Sequence, residues 1–275
     1  MIQIDRRHFI ASLGGAAAVK MMSSEAKAEA LESYMMQQLN SSTAPTAQAR
    51  KFPKAADIEA QIATRSYRRG VGNLFLNTAA DGKVAQLQPM PARPTFLDFF
   101  KLRMDRTGNH VLQSANRAKK TGMSEEVILA CLLHDTVHAL IKTDHGYWGA
   151  QLYAPYVPEK VSFAIRYHQA LRFYDDKEAG YEYPDLYRNL FGEDYLPLPH
   201  IQADYKMLKN HKWYNEPRMV TVNDLYAFEP GVVVNIEPFM EIIGRHFKQP
   251  KEGLGNDNSP VAHMWRAIAM PDNPL

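Results

Sequence analysis

The sequence predicts an all-α protein, a helical bundle, and three observations lead there. Apolar residues recur at helical spacing through most of residues 95–228. Stop and start residues (Gly122, Ser124, Pro158) divide that stretch into helix-length pieces. Strand-like sequence is confined to two short runs, Gly70–Asn77 and Val84–Leu87, which Asp81-Gly82 joins as a hairpin.

The chain begins with Asp5-Arg6-Arg7-His8-Phe9-Ile10, a mild Gly/Ala-rich segment over 11–19, and Ala26-Lys27-Ala28 as a small-x-small cleavage point. This resembles a twin-arginine export signal, and residues 1–28 are read as that leader, with the export machinery as partner and the periplasm as destination. The rival reading is a basic, amphipathic first helix of the mature protein. Leu31, Tyr34, Met35 and Leu39 fall at helical spacing and predict a helix over 29–39. Asn40–Lys54 reads as a flexible linker, and a helix is expected near 55–65. Pro89, Pro91 and Pro94 then mark a boundary, so residues 29–94 form an N-terminal extension.

Within residues 95–228 the periodicity predicts helices over 96–103, 110–121 and 125–140. Further helices are expected over 146–152, 159–174, 201–210 and 217–227. Gly122 ends the second and Ser124 caps the third. The aromatic, Pro-rich stretch 181–199 reads as irregular. The tail 229–275 contains a helix over 238–247, a loop over 251–260 and a short helical piece near 263–265, and is expected to pack on or cover the site.

Composition excludes several classes. With 275 residues, 45% hydrophobic and 23% charged, the chain is an ordinary globular one. A formal charge of +2 gives no reason to expect nucleic acid or an anionic membrane. No stretch after the first thirty residues is apolar and long enough to span a bilayer. The single cysteine, Cys131, lies in an apolar run and reads as a packed thiol.

The chemistry-bearing residues are His110, His134, Asp135, His145, His168 and Asp224. A histidine alone on an apolar helix face is more often a hydrogen-bonded core residue than a ligand. Joint placement carries the argument: the adjacent His134-Asp135 ends the run Ile128-Leu-Ala-Cys-Leu-Leu, and the others sit on separate predicted helices that a bundle can point inward. A carboxylate buried there needs a compensating cation. Four imidazoles and two carboxylates suit two ions of the borderline, octahedral kind better than one zinc.

The pattern His110, His134-Asp135, Asp224 resembles the HD-domain superfamily. The fuller run resembles its mixed-valent diiron oxygenases, the branch that holds myo-inositol oxygenase and the phosphonate-cleaving oxygenase. The matching pieces are His110-Val-Leu-Gln113, Leu133-His134-Asp135-Thr-Val-His138, Asp144-His145-Gly-Tyr-Trp-Gly149, His168-Gln-Ala-Leu-Arg172 and Asn223-Asp224-Leu-Tyr226. The resemblance implies His110, His134, Asp135 and Asp224 on one iron, His145 and His168 on the other, and Asp135 bridging an Fe(II)/Fe(III) pair. It implies O2-dependent oxidation or cleavage of a small polar substrate at a hydroxyl-bearing carbon. It also places His138 and Arg172 on the substrate side, facing an anionic group. For Arg172 the rival is a surface ion pair with Asp175, Asp176 or a nearby Glu; for His138 it is support of a ligand. Met104–Asn109 does not match the gating loop of the phosphonate enzyme, and His138 stands where the inositol enzyme has lysine.

The leading expectation is an exported diiron oxygenase. A metal-dependent phosphohydrolase using other divalent ions is the alternative, and a non-catalytic bundle the third. His211, His246 and His263 are expected not to be ligands.

Overall fold

Thr95 organises the first turn of the helical domain. Its hydroxyl accepts from the Asp98 amide at 3.3 Å, and the Asp98 carboxylate accepts from the Thr95 amide at 2.7 Å. Two donors that a helix start leaves open are thereby satisfied. The computed structural model describes residues 24–39, 52–60, 87–141 and 144–269. Among these every regular element is helical, and the one extended pairing is an isolated bridge between Asp176 and Tyr181. The fold is all-α, as the periodicity predicts.

In chain order the α-helices are α1 (Ser24–Leu39), α2 (Ala55–Ala60), α3 (Phe96–Arg103), α4 (Asp105–Lys120), α5 (Glu125–Leu133) and α6 (His145–Tyr153). They continue with α7 (Glu159–Leu171), α8 (Asp185–Phe191), α9 (Pro199–Leu208), α10 (Asn215–Leu225), α11 (Met240–His246) and α12 (Ala262–Ala269). Single 3-10 turns cover Thr136–Ala139 and Glu237–Phe239. Helix α7 is central, packing on α5, α6, α9 and α10, while α4 lies against α5 and α10. The core fills with Leu129, Ala130, Cys131, Leu132 and Leu133 of α5, together with Phe96, Phe99, Tyr153, Ile165, Phe239 and Trp265. Burial pushes the Cys131 thiol up to about 12, so it stays a packed, protonated group.

Several expected boundaries move. His110 does not begin its helix: α4 starts at Asp105, which puts His110 in the second turn. The stretch expected as one helix over 125–140 breaks at His134-Asp135, where Asp135 takes φ −106 and ψ 2. The physical reason lies in the pair itself. Neighbours on an α-helix point about 100° apart, and the turn at Asp135 brings both side chains toward one centre. Helix α8 lies inside the stretch expected to be irregular. Its apolar Tyr187, Leu190 and Phe191 gain a partner face from α1 and Phe228 that the local sequence does not reveal. The predicted hairpin up to residue 86, the Asn40–Lys54 linker up to residue 51 and the paired arginines lie outside the described residues.

The tail divides. Gln113 donates to the Glu229 and Val232 carbonyls and accepts from the Glu229 amide, so the first tail residues lie along α4. Arg245 and His246 bind Glu125 at the start of α5 and do not cover the site.

Two glycines bring α6 onto α7. A Cβ at Gly146 would lie 2.6 Å from Gln169 Oε1 and 2.9 Å from the Ile165 carbonyl, and one at Gly149 would press on Ile165. Helix α1 buries Ala28, Leu31, Met35 and Met36 against α8. The expected leader boundary after Ala28 therefore falls inside a packed helix.

Candidate metal centre

Six side chains from five helices meet in the core: His110 from α4, His134 and Asp135 from the end of α5, His145 from the start of α6, His168 from α7 and Asp224 from α10. All are buried, His134, Asp135 and His145 completely. Thr221 ties α10 to α7 by donating to the His168 carbonyl at 2.8 Å, which holds Asp224 opposite the histidines.

Asp135 is the hub. Its Oδ2 lies 3.4 Å from His110 Nε2, and its Oδ1 lies 3.5, 2.8 and 3.6 Å from the Nε2 atoms of His134, His145 and His168. Asp224 Oδ1 sits 3.0 Å from His110 and 3.7 Å from His134. Among the described residues three groups could hold an ion: His110, His134, Asp135 and Asp224; Asp135, His145 and His168, which shares Asp135 with the first; and Glu29, Glu32, His138 and His145, which shares His145 with the second. Ligand atoms about 2.0–2.2 Å from a cation lie roughly 3–3.5 Å from one another, and this spacing agrees.

The ring tautomers make the stronger test. His134 Nδ1 lies 2.8 Å from the Cys131 carbonyl, His168 Nδ1 2.6 Å from that of Ile165 and His110 Nδ1 3.3 Å from that of Ala227. A carbonyl only accepts, so each Nδ1 carries a proton, and in the neutral ring each Nε2 presents a lone pair. His145 Nδ1 likewise faces an acceptor, Glu29 Oε2, at 2.6 Å. Lone pairs thus point at carboxylate oxygens, and the buried Nε2 atoms of His110, His134 and His168 form no hydrogen bond, nor do both oxygens of Asp135. In neutral rings that arrangement is repulsive unless a metal ion or a proton sits between the facing atoms, and the set of nitrogens and oxygens fits a metal ion.

Electrostatics agree. Among the described residues Asp135 and Asp224 meet imidazoles and no Lys or Arg. Burial opposes their ionisation, yet the surrounding rings hold both well below the usual carboxylate range. Burial also lowers His110, but the Asp135 and Asp224 carboxylates beside the ring lift it to about 10, so without a metal a proton on that ring would offset part of the buried negative charge. Burial pushes His168 down to about 4 and keeps its lone pair available.

Sequence reasoning missed the contribution of α1. Glu29 and Glu32 are buried beside the centre. Glu32 lies 2.7 Å from Arg172 Nη1 and Glu29 3.7 Å from it. Arg172 is therefore a buried partner of these glutamates, not a surface partner of Asp175 or Asp176. Its charge is reinforced by Glu32 against the cost of burial, while burial raises the Glu32 carboxyl. His138, on the 3-10 turn, lies 3.2 Å from Ser33 Oγ and 3.9 Å from Glu29. The signal available in the sequence was Glu29-x-x-Glu32, two acids at helical spacing among apolar residues. A cavity of about 410 Å³ opens beside Glu29, Gln169 and Arg172, walled by Trp148, Tyr167 and Phe173. Its size suits a small molecule. His211 stacks on Phe163 at 4.4 Å and His246 pairs with Glu125, both away from the centre.

An HD domain is found at residues 107–194, where that family's model matches. The match contains His110, His134, Asp135, His145 and His168; Asp224 lies beyond it and joins them only in the folded chain. The domain is typical of metal-dependent hydrolases and oxygenases, and its members are mostly enzymes. No curated protein matches the chain.

Proposed function

We propose that the chain is an exported dinuclear iron oxygenase that uses O2 to oxidise or cleave a small, hydroxyl-bearing, anionic substrate. The observation that carries this reading is the convergence of four buried histidines, three of them anchored by Nδ1 on backbone carbonyls, on one shared aspartate, a richer set than His, His-Asp and Asp alone. His110, His134 and Asp224 would hold one ion, His145 and His168 the other, and Asp135 both. A bound iron pair supplies the redox chemistry that O2 activation needs.

The protein's own part is orientation, charge and dryness. Backbone carbonyls hold three ligand rings by their Nδ1 protons, so little reorganisation accompanies loading. Arg172 offers a forked donor to a carboxylate or phosphonate; its present partner is Glu32, so an anionic substrate reaches it by taking over that pairing. His138, near the same carboxylates, holds a proton at a ring nitrogen for the substrate's oxygen. The buried surroundings exclude bulk water.

Anaerobic reconstitution with Fe(II), followed by limited O2, tests the reading. A mixed-valence EPR signal and two irons per chain are expected. Less than one iron per chain overturns it. Phosphate release from an ester panel without O2 consumption would instead make the site a two-metal phosphohydrolase. Export by the twin-arginine route belongs to the same proposal: replacing Arg6 and Arg7 by Lys should leave the protein in the cytoplasm, and unchanged periplasmic delivery would refute it.

A further inference from the structure

We propose that Glu29 of α1 is the positioning carboxylate of His145, and that it makes the His145/His168 ion position electronically unlike its neighbour. This rests on the two-ion reading above. Three of the four inward-facing histidines anchor Nδ1 on a backbone carbonyl. His134 and His168 use the carbonyl three residues earlier in their own chain, Cys131 and Ile165. His145 is the first residue of α6 and has no preceding turn of its own helix to provide one. A carboxylate from another helix faces the ring there, with Glu29 Oε2 in ion-pair contact at 2.6 Å from His145 Nδ1 and both residues buried.

Gln169 holds the arrangement. Its side-chain oxygen accepts from the Gly146 amide at 2.7 Å, which ties it to the first turn of α6. Its side-chain nitrogen donates to Glu29 Oε1 in a close contact, leaving Oε2 directed at His145. The absence of a Cβ at Gly146 is what lets Gln169 come so near. A carboxylate accepts more strongly than a peptide carbonyl, so it draws on the Nδ1 proton and makes Nε2 a better donor. The ion at Asp135, His145 and His168 is thereby bound more tightly and tolerates more positive charge than carbonyl-backed histidines would allow.

Titration of the metal-free full chain with Co(II) tests this. The wild type is expected to take up two ions. Glu29→Gln keeps the shape and an acceptor oxygen but removes the charge. It should bind one ion unchanged and the other roughly 10–100-fold more weakly. In the Co(II)-loaded protein the shifted Nδ1–H resonance of His145 should move in Glu29→Gln while those of the other three rings stay. Apo unfolding midpoints of the two proteins should agree. If Glu29→Gln does not fold, Gln169→Leu, which frees the carboxylate without removing it, should weaken the same ion. Equal affinities overturn the proposal. So does a third ion in the wild type that Glu29→Gln abolishes, because Glu29 would then be a ligand with Glu32 and His138. A wild type that binds fewer than two ions overturns the two-ion reading, and is told apart because it appears without any substitution.

Discussion

Arg172 shows how one residue's role turns on its depth. Buried and held by Glu32 at 2.7 Å, it cannot be removed without leaving a carboxylate unpaired in the core. Arg172→Ala is expected to cost about 3–5 kcal/mol, and adding Glu32→Gln should recover part of it; urea unfolding of the single and double variants measures both. Glu125 is the surface counterpart. Arg245 and His246 hold its carboxyl at about 2, below the ordinary 4.5. Because the folded value is the lower one, its contribution to stability is fully present above the unfolded value and is lost as pH falls from about 4.5 through about 2. Carboxyl NMR should show a midpoint near 2 that returns toward 4.5 in Arg245→Ala, and an unshifted wild-type midpoint would contradict the pairing.

At the scale of elements, the approach of α6 to α7 decides whether His145 and His168 can share Asp135. Gly146→Ala must push aside Gln169 and the Ile165 carbonyl. We expect a loss of about 1–3 kcal/mol in denaturant unfolding, together with loss of one bound ion by metal analysis. Helix α1 is the second decisive element. It buries an apolar face on α8 and delivers Glu29 and Glu32. A processed chain that keeps this site must keep the helix, so under the export proposed above the N-terminus after processing, read by Edman sequencing or intact mass, is expected to lie before Ser24. A mature protein that begins at Glu29 and retains two ions would show that the first turn of α1 is dispensable.

For the whole molecule, stability and loading should be linked. Ions that bind the folded chain alone stabilise it by about 2.7 kcal/mol when free metal is 100 times the dissociation constant. Chelation should therefore lower the Tm, and added metal should restore it in a concentration-dependent way. A Tm indifferent to chelator would mean the six donors are a self-sufficient polar core. Much of this centre was legible in advance. His134-Asp135 at the end of an apolar run and His168 within another announced themselves by chemistry that an apolar helix does not tolerate without compensation. A helix continued to residue 140, as the periodicity predicts, would set His138 one turn after His134, but the helix ends first, and a 3-10 turn carries it toward Ser33 and Glu29. Helix α8 was missed because its apolar face is matched by a helix more than a hundred residues earlier.

Sequence alone determined the helical class, most of the helices of the central domain and the six inward-facing donors, because periodicity and the cost of burying His and Asp are local properties of the chain. Tertiary structure decided which of these side chains lie together, which ring nitrogen each turns inward, and that α1 lies against the centre. Those depend on distances between residues far apart in the chain, such as Glu29 and His145, and no local pattern encodes them.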